Sequence, residues 1–242
     1  MQWLNRPKDD PDFDARVQAL CDLYRQAPEL HREGVHVVST DEKTGMQALE
    51  RLHPSKPLRP GQPEKREFEY RRHGTRTLIA SLEVATGKLV APSLGATRKK
   101  HDFIAHVAGV VATDPDAEWV FVLDNLDTHR SHALVDWVAQ TCHLADEVAD
   151  LRSQKQLKTK ALRADFLAAP GHRIRFVYTP KHCSWLNQIE LWFGTLARGI
   201  LRRGSFVSVE ALTNAVLAFI RYYNQIKARP YKWTYTGRPV GL

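Results

Sequence analysis

Three acidic residues, Asp41, Asp124 and Glu190, each stand where a predicted strand ends or a predicted helix begins. Asp41 follows a β-branched run, Asp124 ends the apolar run 119–124, and Glu190 follows the apolar run 174–178. Carboxylates that meet at one sheet edge repel each other unless a cation joins them. Their oxygens are hard ligands that suit Mg²⁺ or Mn²⁺. The pattern predicts a divalent-metal site, and in a basic protein the natural substrate of such a site is a phosphodiester.

Each acid also has an ordinary structural interpretation. A carboxylate after a strand is often an N-cap or turn residue, which applies to Asp41 and Asp124. A glutamate beside an apolar helical stripe, such as Glu190, is usually the polar edge of that helix. The three together favour the metal site, because the predicted sheet makes them neighbours and the segment 179–190 is dense in polar and special side chains.

The elements that must position these acids predict an α/β fold with a mixed sheet flanked by helices on both faces. A short strand leads from Val35 into Asp41, a hairpin turn lies at 85–87, and the proline-rich stretch 53–65 is a loop. The other predicted strands are 67–72, 77–84, 88–94, 119–124 and 174–178, and the predicted helices are 13–26, 101–113, 131–141, 184–201 and 208–225. Ligand sites in such sheets lie at strand ends, which is where the two aspartates fall.

Composition and charge favour a polyanionic partner. The chain has 242 residues, with 35 Lys and Arg against 27 Asp and Glu and a formal net charge of +8. Nucleic acid is the usual partner of such a chain, although charge alone also fits a merely basic protein. No apolar run approaches the roughly 18–20 residues of a membrane span, and the first residues lack a signal-peptide core, so we expect a cytoplasmic protein. Three scattered cysteines argue against a disulfide framework, and His182-Cys183 has no second ligand pair at zinc spacing.

Several extended strings carry a family resemblance. STDEKTG, LDNLDTH and YTPKHCSWLNQIELWF resemble the three catalytic motifs of DDE transposases, specifically the bacterial insertion-sequence branch of the mariner superfamily. The strings RRGSF and KWTYTGRP resemble the same branch, and the likeness runs from about residue 13 to the C-terminus. The resemblance implies a ribonuclease H-like fold that cuts and joins double-stranded DNA with divalent metal ions. By motif, Asp41, Asp124 and Glu190 would be the metal-binding catalytic triad.

The resemblance also implies a mechanism, and the positions of other residues near the three acids suggest further site residues. Asp41 would bridge two Mg²⁺ or Mn²⁺ ions, Asp124 would hold one and Glu190 the other, for hydrolysis and then strand transfer by a dimer. Trp185 either stacks on a flipped base or, as the favoured alternative, packs in the core, and Asn187 is expected on the same helical side as Glu190. Asn125 is a third supporting residue. The candidate DNA contacts are Lys43, Arg98, Lys99, Lys100, His129, Lys181, His182, Arg202 and Arg203.

Two features depart from the family pattern. The chain advances 66 positions from Asp124 to Glu190, and the basic segment 143–172 accounts for the excess. We interpret this segment as an insertion that leaves the triad intact, either a solvated helical excursion or a basic flap over nucleic acid. Residues 1–30, an expected arm and helix, are too few for the usual helix-turn-helix domains, which could be separately encoded. The expected catalytic domain is then 31–225, followed by a basic tail at 226–242.

Two other functions stay open at this point. The chain could be a ribonuclease H-like nuclease that cuts nucleic acid and never joins strands. It could also be a catalytically silent DNA-binding remnant that represses an active transposase. The presence of all three acids argues against simple decay of the site.

Overall fold

The computed structural model describes residues 12–54, 56, 59–65, 67–181 and 183–235. The helices in these ranges are α1 (Phe13–Arg32), α2 (Lys100–Val111), α3 (His132–Thr141), α4 (Ala145–Ser153), α5 (Lys160–Leu167), α6 (Ile189–Leu196) and α7 (Val209–Tyr222). The strands are β1 (Val35–Arg51), β2 (Tyr70–Glu83), β3 (Leu89–Gly95), β4 (Glu118–Leu123) and β5 (Ile174–Tyr178). No helix in this part of the chain is long and apolar enough to cross a membrane.

The strands form one mixed sheet in the order β3-β2-β1-β4-β5. β2 pairs antiparallel with both β1 and β3, whereas β4 pairs parallel with β1 and with β5. The predicted fold class, a mixed α/β sheet flanked by helices, is confirmed. The parallel half of this sheet brings the carboxyl ends of β4 and β5 to the same edge.

The first two strands are longer than predicted. β1 does not end at Asp41 but continues to Arg51, and the predicted strands 67–72 and 77–84 are largely one strand, β2. Thr44-Gly45 has the composition of a turn, yet Gly45 takes a positive φ of 64° at a register shift between β1 and β2. A glycine at such a bulge absorbs the irregularity, so the ladder resumes beyond it. Asp41 therefore lies inside a strand and is not a turn residue.

The helix that carries Glu190 is also interrupted where the sequence predicts continuity. The predicted helix 184–201 is a 3₁₀ turn at Ser184–Leu186, then α6, then a π-helical segment at Ala197–Leu201. Asn187 separates the first two because its backbone is extended, with φ −81° and ψ 107°. Since Asn187 precedes the helix, it does not share a helical face with Glu190, which corrects the expectation from spacing.

The basic segment 143–172 folds into the main domain. It forms α4 and α5, and it buries Val148, Leu157, Phe166 and Leu167 in the same cluster as the residues of β4 and β5. The solvated-excursion interpretation is therefore wrong for its apolar residues. Some of its cationic side chains bind other residues of the chain. Arg163 is buried and donates to the carbonyl oxygens of Arg130 and Leu157. Arg152 and Lys160 pair with Asp136 and Asp127.

The two faces of the sheet carry different layers. Helices α2 to α5 cover the face that presents Val38, Phe121 and Phe176, whereas α1, α6 and α7 cover the opposite face. Side chains alternate between faces along a strand. Asp41 pairs with Ala80, which packs in the cluster beneath α6 and α7, so Asp41 faces the helix that carries Glu190.

Candidate active site

Strand register brings the two aspartates together. The parallel pairing of β1 with β4 runs from Val35 opposite Glu118 to Ser39 opposite Val122. The same register continued by two residues sets Asp41 opposite Asp124, which follows β4 directly. Paired residues on neighbouring strands point to the same face. Asp41 is 9% exposed and Asp124 is half-buried, so both carboxylates sit at the carboxyl edge of β4 with limited access to water.

A buried hydrogen-bond network ties the helix of Glu190 to the strand of Asp41. Ser39 accepts from the backbone N–H of Ile189 at 2.9 Å, and its hydroxyl donates to the side-chain oxygen of Asn187. The Asn187 amide donates to Asp41 Oδ2 at 3.3 Å. Glu190 stands exposed in the first turn of α6, directly after this anchor. The third acid is thereby held at the same sheet edge as the two aspartates.

The carboxylates repel each other across this edge. Burial, followed by the charges of Asp124, Glu42 and Glu190, raises the pKa of Asp41 from its ordinary 3.8 to about 7, against a backbone hydrogen bond from Glu42. Among the described residues, ligand atoms of three such side chains come within 4.8 Å of one another at His31, His36 and Glu83. The oxygens of the triad are farther apart than this. The edge therefore holds negative charge that a proton or a cation must balance, and its all-oxygen donors fit Mg²⁺, which usually keeps several waters.

Asp41→Asn should stabilise the metal-free protein above pH 7. The folded-state pKa of Asp41 is raised, so the folded protein holds a proton that the unfolded chain has released, and stability falls as pH rises from about 4 to 7. Asparagine removes that cost, and we expect a gain of about 1–3 kcal/mol at pH 8 that shrinks toward pH 4. Urea melts with EDTA measure it. The control Asp127→Asn, at an exposed acid, should show no gain; equal gains would contradict the assignment.

Asp124 is held in its ionised form by a buried histidine. Burial opposes ionisation, but hydrogen bonds from His129 and from the Leu126 N–H outweigh it and lower the pKa of Asp124. His129 Nδ1 lies 2.9 Å from Asp124 Oδ1, and His129 Nε2 lies 3.1 Å from Glu42 Oε1. Burial lowers the pKa of His129, yet its bonds to these two carboxylates raise it overall to about 9. A charged imidazolium therefore bridges Glu42 and Asp124.

This position corrects one predicted DNA contact. The His129 side chain is 0% exposed, with Phe103 of α2 against its ring at 4.3 Å between centroids. A phosphate cannot reach it there, so His129 orients Asp124 and does not bind DNA. Glu42 was missed as its partner, although it stands beside Asp41 in the first motif.

Two further contacts brace the loop after β4. The Asn125 side chain donates to the carbonyl oxygen of Thr179, which follows β5. The Tyr178 hydroxyl donates to the carbonyl oxygen of His129 at 2.8 Å. The second motif is thus fastened to the start of the third. Of the residues that sequence reasoning missed, Ser39 had a usable signal, because it lies two residues before Asp41 on the same strand face.

The predicted basic contacts separate into two groups. Arg98, Lys99 and Lys100 are exposed just before and at the start of α2, the helix whose Phe103 contacts the ring of His129. Lys181 is exposed beyond β5, and Lys43 is partly buried two residues after Asp41. His182 lies outside the described residues.

Arg202 and Arg203 are exposed but far from the triad along β1. Arg51 donates to the carbonyl oxygen of Arg202 at 3.5 Å, and Arg51 stands ten residues beyond Asp41, roughly 30 Å at strand rise. Trp185 is 48% exposed, which overturns the preference for a core role. Its ring meets Tyr235 edge-on, with 5.1 Å between centroids.

Comparison with known proteins supplies a family context for this geometry. A family model described as DDE superfamily endonuclease matches residues 36–213, more than half of the chain. No curated protein sequence matches at a significant level. The structure resembles the Mos1 mariner paired-end complex with Mn, with a TM-score of 0.55 at 14% identity over 96% of this chain and 60% of that chain.

Two other solved structures show the same likeness. A pre-cleavage Mos1 transpososome gives a TM-score of 0.54 at 14% identity, over 91% of this chain and 58% of that one. The catalytic domain of Mos1 mariner transposase gives 0.51 at 12% identity, over 91% and 85%. At such identities the likeness shows a shared fold, and it confirms the predicted ribonuclease H-like sheet. The chain spans about three-fifths of the length of the two longer Mos1 chains.

Proposed function

The chain belongs to the DDE superfamily of endonucleases, and we propose that it is the catalytic part of a transposase that cuts and joins DNA at insertion-sequence ends. The observation that carries the proposal is the convergence of the three motifs on one sheet edge. The β1–β4 register, extended two residues beyond Ser39 and Val122, would set Asp41 opposite Asp124, and Asn187 ties the start of the Glu190 helix to Asp41. The bacterial insertion-sequence branch rests on the motif strings and remains part of the proposal.

Asp41, Asp124 and Glu190 would hold the metal. The buried Asp41 carboxylate indicates that these residues fit a metal ion. Its negative charge is repelled by the charges of Asp124 and Glu190, and a cation would relieve that repulsion. When bound, two Mg²⁺ or Mn²⁺ ions stabilise the entering and leaving oxygens of an in-line phosphodiester displacement. The chain's own residues prepare this edge: His129 keeps Asp124 ionised, and Asn187 fixes the orientation of the Asp41 carboxylate.

The DNA would lie across the exposed cations beside this edge. Arg98, Lys99 and Lys100 are exposed by the start of α2, Lys181 is exposed within the third motif, and Lys43 follows Asp41 on β1. Contacts of this kind bind phosphates and position the duplex without reading its sequence. The exposed ring of Trp185 is available to stack on an unpaired base, which supports its proposed supporting role.

The proposed partners of the chain are DNA, a second copy of the chain and a helix-turn-helix part. Mos1 transposase appears in a paired-end complex, and we propose by analogy that this chain acts as a homodimer on two element ends. We propose a helix-turn-helix part, on this or another reading frame, as the partner that recognises the terminal repeats. We also propose that the protein works on chromosomal DNA in the bacterial cytoplasm. An in-frame or frameshifted helix-turn-helix segment directly upstream in the genome would support this arrangement.

We expect the chain, with Mg²⁺ or Mn²⁺, to nick DNA that carries the element end and to join a pre-cut end to target DNA. Joining uses the freed 3′-hydroxyl at the same carboxylates and exchanges one phosphodiester for another. A gel assay with a labelled pre-cut end measures it. The matched control is the same end with a 3′-deoxy terminus, which must abolish joining. Nicking without joining would indicate a nuclease, and tight DNA binding without cleavage in Mn²⁺ would indicate a silent remnant.

A further inference from the structure

A second group of metal-ligating side chains lies around the start of β1. His31 stands in the last turn of α1, His36 is the second residue of β1, and Glu83 ends β2. Each offers one ligand atom, and these atoms all lie within 4.8 Å of one another. His31 Nδ1 is 3.2 Å and His36 Nδ1 is 2.5 Å from the same oxygen, Glu83 Oε1. Two imidazole nitrogens and a carboxylate therefore face one point.

The surroundings of the three side chains are those of a supported metal site. His36 Nε2 lies 3.2 Å from Asp114 Oδ2, which is the carboxylate contact that commonly fixes a metal-binding imidazole. The Thr86 hydroxyl donates to the other Glu83 oxygen at 2.7 Å, leaving Oε1 for the cluster. The His36 ring also stacks on Trp119, with 4.3 Å between centroids and 16° between planes. Glu83 and His36 thus have their orientations set from outside the cluster.

A plain histidine–carboxylate pair leaves part of this arrangement unexplained. The hydrogen bond between His36 and Glu83 satisfies those two residues by itself. His31 Nδ1 is nonetheless buried beside the same Glu83 oxygen, at 3.2 Å, without the geometry of a hydrogen bond. A buried polar atom without a hydrogen bond is costly, and a cation between the three ligands would be coordinated by His31 Nδ1 as well as by His36 and Glu83.

We propose that His31, His36 and Glu83 bind a divalent transition metal, for which Zn²⁺ is the best match. Two imidazoles, one carboxylate and an open fourth position form a common tetrahedral zinc set. Ligand atoms at about 2.0–2.1 Å from tetrahedral zinc are about 3.3 Å apart, close to the distance from His31 to Glu83. His36 would move from its hydrogen bond by under about 1 Å. The metal would link the end of α1 to β1 and β2.

This site is separate from the catalytic carboxylates. His36 precedes Asp41 by five residues on the same strand, about 16 Å at strand rise. The two sites also differ in chemistry, because nitrogen donors suit Zn²⁺ whereas the all-oxygen triad suits Mg²⁺. Zinc bound by the histidines would act through the stability of the fold and would not touch the reacting phosphodiester.

The test is a Zn²⁺ titration of the full chain carrying Asp124→Asn, which removes one triad ligand and limits zinc binding there. We expect one zinc per chain by equilibrium dialysis with metal analysis, and a rise in Tm with zinc. His31→Gln and Glu83→Gln should each weaken zinc binding at least about tenfold and remove the Tm rise. Circular dichroism of the metal-free variants checks that they fold.

Two further variants show whether zinc binding depends on this cluster or falls when any histidine is removed. His73→Gln removes a histidine that pairs with Glu50 at 2.8 Å elsewhere on the sheet, and zinc binding should be unchanged. His31→Cys supplies another zinc ligand and should restore binding that His31→Gln loses. The proposal is overturned if the parent binds zinc no better than His31→Gln and Glu83→Gln, or if His73→Gln reduces binding equally.

Discussion

Asp41→Asn, Asp124→Asn and Glu190→Gln should each reduce Mg²⁺-dependent nicking by about 10³-fold or more. Each substitution keeps the size of the side chain but removes the charge of one proposed oxygen ligand at the edge where the three motifs meet. Because the three carboxylates act as a unit, a double variant should lose little more than a single one. Single-turnover cleavage of a labelled element end at saturating protein isolates this effect from DNA binding.

The control for this experiment is Asp127→Asn. Asp127 lies three residues after Asp124 in the same motif, but it is exposed and pairs with Lys160. The Asp127→Asn variant should nick DNA at the parent rate. If any of the three triad variants retained full nicking in both Mg²⁺ and Mn²⁺ while folding normally, that residue would not be a catalytic ligand.

His129→Leu should destabilise the protein by about 3 kcal/mol, the usual cost of leaving a buried charge without its partner. The Glu42 side chain is 1% exposed and ion-pairs with His129. Leucine fills part of the space but leaves the carboxylate without a cation in the interior. Urea unfolding at pH 7 measures the loss, and nicking should also fall because Asp124 loses the group that orients it.

A second substitution and the pH dependence show whether the lost stability comes from the His129–Glu42 ion pair or from lost packing. Glu42→Gln added to His129→Leu should recover part of the lost stability, since it removes the unpaired charge. The folded-state pKa of His129 is raised from 6.5 to about 9, so its contribution is complete below pH 6.5 and is lost as pH rises through 9. His129→Leu should lack that decline. A decline as steep as in the parent would mean that His129 is not the buried cation.

Local sequence pattern was enough to predict the α/β class and the order of most elements. Apolar runs such as 119–124 and 174–178 predict buried strands from composition alone, and both are strands in the structure. The same local reasoning failed at Gly45, because a glycine marks both a turn and a bulge inside a continuing strand. Pairing with β2 decides between them, and that partner lies more than 25 residues away in the chain.

In the candidate site, too, some features could be predicted from the sequence and others depended on tertiary packing. The motif strings identify Asp41, Asp124 and Glu190, and their placement at one sheet edge follows from strand order. The burial of His129 could not be read from its position after Asp124, because burial depends on α2 packing over it. The exposure of Trp185 could likewise not be predicted, because the break at Asn187 ends the continuous helix in which Trp185 was expected on the apolar face.

The sequence by itself determined which acids are the candidate metal ligands, since residue type and motif order are set along the chain. Only the tertiary structure decided what surrounds them: the buried His129 between Glu42 and Asp124, and the amide of Asn187 on Asp41. It also assembled His31, His36 and Glu83, of which Glu83 is 47 residues from His36. Ligand spacing along the chain gives no sign of such a cluster, because hydrogen bonds and metal ligation depend on distances in space, which strand pairing and helix packing set.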